Sequence, residues 1–230
     1  FAGEIYRISV RDRRAVTFAT GGTQESVLDF LTQMTAVLLD RQLFHLDEYV
    51  IPEGFPREYT YQYYLQQRLI DPLTAKSLID PANFHFVDGG AADLIRACLE
   101  YNTLLKKYPR AVTLLGVGPD GHFAFNPQFS SVNAITRAAS LDARTMAANG
   151  GYCGGAVPRW AITQGSANII DPKQSARIRV ITFKYPEIVA RALWGPVSED
   201  IPLSLLRLHP DVVFYLTQDG RAGCVRKLAD

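Results

Sequence analysis

The chain has 230 residues, 47% of them hydrophobic and 20% charged, which is enough apolar material for a buried core and unlike a disordered segment. Twenty-four Lys and Arg against 23 Asp and Glu leave a formal net charge of +1, which argues against a protein that grips nucleic acid through a global positive field but not against a local anion site. No apolar run approaches the roughly 20 residues a helix needs to cross a bilayer, and the three cysteines, Cys98, Cys153 and Cys224, are spaced like reduced cytoplasmic thiols rather than a disulfide framework or zinc site.

Short β-branched or aromatic runs alternate with stretches of helical spacing. Ala15-Val16-Thr17-Phe18-Ala19 predicts a buried strand that ends in Thr20-Gly21-Gly22-Thr23. Val27, Leu28, Leu31, Met34 and Leu38 then share one helical face. Residues 42–49 predict a second strand, 58–69 a helix, and 84–87 a short strand stopped by Asp88-Gly89-Gly90. Residues 91–108 give the clearest helix, with Leu94, Ile95, Cys98, Tyr101 and Leu105 on one side and Pro109 at its end. Ala111-Val112-Thr113-Leu114-Leu115 is apolar on both faces, as in a parallel strand covered by helices, and runs into Gly116-Val117-Gly118-Pro119-Asp120-Gly121-His122. Further strands are predicted at 135–140, 160–163, 178–183 and 212–217, with a helix at 186–194.

This alternation implies an α/β fold: an open, mostly parallel sheet with helices on both faces, a Rossmann-like three-layer sandwich with right-handed crossovers. No repeat, low-complexity tract or composition shift marks a linker, so residues 1–230 are expected to form a single domain.

Ligands of open α/β sheets lie beyond the carboxyl ends of the strands, and three polar or glycine-rich segments fall there. The first is Thr20-Gly21-Gly22-Thr23, where two glycines allow close backbone approach and the following helix offers free N–H groups to a phosphate or carboxylate. It has neither the lysine of a Walker loop nor dinucleotide-fingerprint spacing, and a tight turn with Thr23 as helix cap is the structural alternative. The second, His45-Leu46-Asp47-Glu48-Tyr49, holds two adjacent carboxylates. Successive strand side chains point to opposite faces, so Asp47 and Glu48 are not expected to form a dyad; one faces the crevice or both are solvated. In the third, glycines around Asp120 and His122 permit a sharp turn, and a carboxylate two positions from an imidazole can orient it for acid–base work. The alternative is a turn in which Asp120 caps local N–H groups and His122 packs. His45, His85 and His209 fit structural roles.

Taken in order, these segments resemble the glucosamine-6-phosphate deaminase/isomerase family, whose superfamily includes the 6-phosphogluconolactonases. The resemblance runs through Thr20-Gly21-Gly22-Thr23, then Leu46-Asp47-Glu48-Tyr49-Val50 with Glu58-Tyr59 and Tyr63-Tyr64, then Gly116 to His122 and Ala124-Phe125-Asn126. Val157-Pro158-Arg159-Trp160-Ala161-Ile162-Thr163, Lys184 and Leu208-His209-Pro210 complete a series covering nearly the whole chain. The start at Phe1 fits a family member without its leading helix.

The resemblance implies a reaction without cofactor or metal on a hexosamine 6-phosphate in amino sugar metabolism, giving fructose 6-phosphate and ammonia. It implies that Thr20, Gly21, Gly22, Thr23 and Lys184 hold the phosphate. His122, with Asp120, would assist ring opening, and Asp47 would carry the proton between C2 and C1. The chain departs from the family at two points. Pro127 stands where a glutamate follows Phe-Asn, with Gln128 beside it and Glu53 or Glu58 as candidate replacements. The phosphate-binding arginine is also missing, with Arg144 or Arg159 as candidates.

The expected partner is a phosphorylated sugar, with no nucleic acid and no membrane, and homo-oligomerisation is left open. Two other readings stand beside the isomerase/deaminase. One is a 6-phosphogluconolactonase-like hydrolase, although such enzymes carry Asp-Glu-Arg where this chain has Asp47-Glu48-Tyr49. The other is a sugar-phosphate-binding protein that kept the anion site and lost the catalytic group.

Overall fold

In the computed structural model, which describes residues 2–151, 153–218 and 221–226 and side chains as far as residue 216, the chain begins with a ten-residue helix. The first half runs α1 (Ala2–Arg11), β1 (Ala15–Phe18), α2 (Glu25–Thr32), β2 (Leu43–His45), β3 (Asp47–Tyr49), α3 (Tyr61–Leu65), α4 (Asp71–Ala75), β4 (Phe84–His85) and α5 (Leu94–Lys107). The second half runs β5 (Arg110–Leu115), β6 (Arg137–Ser140), α6 (Ala143–Asn149), β7 (Trp160–Thr163), α7 (Ser166–Ile170), β8 (Ile178–Thr182), α8 (Pro186–Trp194), α9 (Pro202–Leu205), β9 (Val212–Gln218) and β10 (Arg221–Arg226).

Seven strands form one sheet in the order β10-β9-β8-β5-β1-β2-β4, parallel throughout except for the β9–β10 pair. From β1 the chain builds outward to β2 and β4, then returns to add β5 on the other side and continues to β8 and β9. The order therefore reverses between β1 and β5, and the loops leaving these two strands diverge. Such a switch point leaves a crevice at the carboxyl edge of the sheet. Strands β3, β7 and β6 form a second, antiparallel sheet.

Both faces of the large sheet are covered. Leu43 and Phe44 are consecutive on β2 and enter different apolar clusters, as the two-residue period of a strand requires. Leu43 joins Val16 and Phe18 of β1 and Val27 and Leu28 of α2, while Phe44 joins Cys98, Tyr101 and Leu105 of α5. Helix α1 seats the fully buried Ile5 and pins its first turn through Glu4 to Arg179 of β8 at 2.9 Å. No helix among the described residues is long and apolar enough to cross a membrane.

Several predicted boundaries move, each for a visible reason. The expected strand over 42–49 is two strands in different sheets. After His45 its backbone carbonyl is taken by Tyr101 Oη at 2.5 Å and Gln164 Nε2 at 3.0 Å, so the β2 ladder ends and the chain crosses at Leu46 to pair with β7. The helix expected to carry Met34 and Leu38 stops at Thr32, whose carbonyl accepts Lys76 Nζ at 2.6 Å, and Leu38 bonds instead to the Leu78 carbonyl. The helix expected over 58–69 starts only after Thr60, which caps it by accepting Tyr63 N–H at 3.1 Å. A single π turn, Gln66–Ile70, then separates α3 from α4. Asp93 likewise caps α5 later than expected, and Ile95 is 76% exposed rather than on the buried side. The β10 hairpin strand was not foreseen. Cys98 and Cys153 are buried free thiols; the side chain of Cys224 lies outside the described part.

Candidate active site

The loops after β1, β2 and β5, together with the C-terminal part of α6 and the turn after β8, surround a cleft of about 170 Å³. Its floor is the switch point between β1 and β5. On one side Ala19, Thr20, Gly21, Gly22 and Thr23 line it ahead of α2. Gly21 has φ +100°, a conformation that glycine adopts without penalty. The cap of α2 is Gln24, not Thr23. Gln24 is fully buried and donates from Nε2 to the Leu115 carbonyl at 3.2 Å, tying the loop to the end of β5. The free N–H groups of this helix start face the cleft loop and favour an anion.

Lys184 lines the same cleft, and among the described residues it is the only Lys or Arg to do so. It makes no ion pair with a described residue. It is held by a reciprocal turn in which Lys184 N–H donates to Thr182 Oγ1 at 3.1 Å and Thr182 Oγ1 donates to the Lys184 carbonyl at 3.0 Å. Arg144 and Arg159 are exposed and do not line the cleft.

The β5 loop folds back on itself through Gly118 N–H to the His122 carbonyl at 2.9 Å and Gly121 N–H to the Gly118 carbonyl at 3.1 Å. Any Cβ on Gly118 would lie inside the His122 ring, so glycine is required for the imidazole to pack there. His122 Nδ1 and Asp120 Oδ1 are 2.5 Å apart, and His122 N–H also reaches Asp120 Oδ1 at 3.2 Å. Burial pushes the Asp120 carboxyl up, but its contacts with His122 outweigh this and hold it below the usual carboxylate range. An anionic Asp120 can only accept, so Nδ1 carries a proton, and in the neutral ring Nε2 is the acceptor. His122 lines the cleft; Asp120 sits behind it, 3% exposed.

Asp47 faces the cleft from β3 with Leu46 beside it and Tyr61 of α3 opposite. Tyr49 and Tyr61 stack at 4.7 Å with hydroxyls 2.9 Å apart, and Phe125 lies 6.0 Å from both rings. Asp47 accepts no hydrogen bond from a described residue. Burial, and secondarily the charge of Glu48, push its carboxyl up to about 8. Glu48 points the other way. Its carboxylate accepts the backbone N–H groups of Tyr49 at 2.8 Å, Tyr61 at 3.1 Å and Gln62 at 2.7 Å. The two acids are therefore not a dyad, and neither is a solvated loop carboxylate.

Of the chain's other histidines, His45 is fully buried, and burial pulls it down to about 3. His209 bonds through both ring nitrogens, to the Ser175 carbonyl and Asp211 N–H. His85 contacts Gln42. None lines the cleft. Gln128, beside Pro127, donates to the Asp200 carbonyl away from the cleft, and Asn126 is consumed in bonds to Phe123, Gln164 and Arg137. Neither Glu53 nor Glu58 lines the cleft, although Glu58 borders an adjoining recess with Gly21, Tyr61 and Asn149. Among the described residues no group of three His, Cys, Asp or Glu side chains is placed to hold a metal ion.

Sequence reasoning did not find Tyr61, Phe125, Thr145, Ala148, Asn149 and Tyr185 on the cleft wall. For Thr145, Ala148 and Asn149 a usable signal existed: Asp142 caps α6 by accepting Thr145 N–H at 2.7 Å, and a capped helix there brings its far end over the cleft.

The chain is 31% identical over 217 residues to a glucosamine-6-phosphate deaminase of Lactobacillus acidophilus, spanning 92% of this chain and 86% of that one. It is 34% identical over 212 residues to one of Cutibacterium acnes, spanning 89% and 78%. The solved structure of a monomeric glucosamine-6-phosphate deaminase superposes with a TM-score of 0.84 at 27% identity, covering 95% of this chain and 92% of that one. A 6-phosphogluconolactonase from Trypanosoma brucei, with a TM-score of 0.72 at 17% identity over 95% and 90% of the two chains, shares the fold. No family model matches the chain.

Proposed function

The chain belongs to the glucosamine-6-phosphate deaminase family, and on that premise we propose that its cleft converts an amino sugar 6-phosphate, glucosamine 6-phosphate or a close relative, into the ketose 6-phosphate with release of ammonia. The observation that carries this reading is the meeting of Asp47 and His122, backed by Asp120, with Thr20, Gly21, Gly22, Thr23 and Lys184 in one cleft. A cytoplasmic setting and independence from any cofactor are part of the same proposal.

The phosphate rests on the backbone N–H groups before α2 and on Lys184, which together supply donors and one positive charge. His122 Nε2 takes the C1 hydroxyl proton and returns it to the ring oxygen as the C1–O5 bond breaks; Asp120 holds the ring in the required tautomer. In the open aldehyde the C2–H bond is acidified by the neighbouring carbonyl. The Asp47 carboxylate takes that proton while the carbonyl oxygen gains one from solvent, giving an enolamine. Asp47 then delivers its proton to C1 as the nitrogen lone pair forms the C2 iminium. Water adds at C2, the C–N bond breaks, and ketose phosphate and ammonium leave. An acid that must both take and return a proton works best when its pKa is near the operating pH, which the dry setting of Asp47 favours.

Product analysis tests the reading. Incubation with glucosamine 6-phosphate should release ammonia and ketose phosphate in equal amounts. Hydrolysis of 6-phosphogluconolactone without any ammonia from amino sugar phosphates would overturn it.

A further inference from the structure

Glu48 has no step of its own in this reaction, yet it is 1% exposed, one residue from Asp47, and pairs with no Lys, Arg or His of the described residues. Its only compensation is the three backbone N–H groups of Tyr49, Tyr61 and Gln62. Two of these belong to the first turn of α3. These groups open a helical run that continues without a break through the π turn into α4, and they are among the N–H groups that no residue inside the run can meet. Tyr61, whose ring lines the cleft opposite Asp47, is held at its own amide by this carboxylate.

We propose that Glu48 is a positioning residue for the isomerisation: its carboxylate fastens the first turn of α3, and with it the Tyr61 wall, to β3 and sets a negative charge behind Asp47. The proposal rests on the functional reading above. Glu48 and Asp47 sit on opposite faces of a three-residue strand, so one side chain organises the wall while the other meets substrate. The groups within electrostatic reach of Asp47 are Glu48 and Tyr49 on β3, Tyr61 on α3 and Tyr101 on α5, with His122 and Lys184 lining the same cleft. Cys153 packs with Tyr49 and is within electrostatic reach of Glu48. The tyrosines are neutral, since burial pushes their hydroxyls up. Glu48 is thus the nearest negative charge, and it favours the protonated form of Asp47. Burial pushes Glu48 itself up, and its three N–H donors pull it back, so the two acids titrate as a coupled pair.

Two variants separate the two effects. Glu48→Gln keeps an acceptor for the α3 turn but removes the charge, so the acid limb of the kcat/KM profile should move down by roughly one pH unit. Glu48→Asp keeps the charge but falls a methylene short of α3, so it should lower kcat and raise KM with the acid limb in place. An unchanged acid limb in Glu48→Gln overturns the proposal. If that variant does not fold, 13C titration of labelled Asp and Glu carboxyls in the wild-type protein decides: Asp47 should titrate well above the ordinary carboxylate range, with a second inflection in the Glu48 signal over the same interval. A normal Asp47 midpoint overturns the proposal. Absence of ammonia release by the wild type would instead overturn the functional reading and leave the titration as the test of Glu48.

Discussion

Asp47 on the cleft and Asp120 behind His122 are both carboxylates, and their surroundings push their protonation apart. Asp120 is anchored by His122 and stays ionised; Asp47 has aromatic neighbours and an acid behind it and holds its proton to about pH 8. This has a cost in stability. Between the ordinary Asp pKa of about 4 and the native value of about 8, the native state binds a proton at Asp47 that the unfolded chain does not, so stability falls as pH rises through that window. Asp47→Asn removes the ionisable group. The variant should melt above the wild type at pH 8, with the margin shrinking towards pH 5; equal margins at both pH values in thermal melts would contradict the burial argument. At this scale the placing of Asp47 and His122 on the cleft was legible in the residues, because chemistry-bearing side chains in loops after strands are where α/β sheets bind ligands, whereas Lys184 was reached only through the family resemblance. Tyr61 and Asn149 were not, since nothing near them in sequence says which wall they will face.

Among the elements, the strands with the plainest composition fall where their residues predict: 160–163 is β7, and the helix over 186–194 is α8. The failures share a cause, which is that a distant group ends or redirects a locally sensible pattern. Tyr101 and Gln164 close β2 at His45, Lys76 closes α2 at Thr32, and Glu48 holds the start of α3. Arg110 is the largest such connector. It is fully buried at the start of β5, donating from Nη1 to the Leu105 carbonyl of α5 at 2.7 Å and from Nη2 to the Asn168 carbonyl of α7 at 2.5 Å. Arg110→Ala leaves both carbonyls without these donors and opens a cavity, so it should cost about 3–5 kcal/mol in denaturant unfolding. Kinetic constants per folded molecule should be unaltered, since Arg110 does not line the cleft. A loss under about 1 kcal/mol would show that the stitch is dispensable.

For the whole molecule, a net charge of +1 conceals a local separation of sign. The switch point between β1 and β5 gathers the start of α2, Lys184 and Asp47 in one crevice, with Asp120 behind His122 and Glu48 turned to the far side of β3. The parallel α/β architecture was legible from the alternation of runs. The second sheet that carries Asp47 was not, because β3 and β7 pair residues as distant in sequence as Glu48 and Ile162, and only tertiary pairing joins them. In the proposed reaction Asp47 moves the proton while the other end of the cleft holds the phosphate. The most direct test is ammonia release from glucosamine 6-phosphate by the wild type and Asp47→Asn in parallel, with calorimetric binding of inorganic phosphate to both. Phosphate affinities should lie within a few-fold of each other, and turnover should be at least ~10³-fold slower in the variant. Asp47→Asn releasing ammonia at the wild-type rate would contradict that role for Asp47.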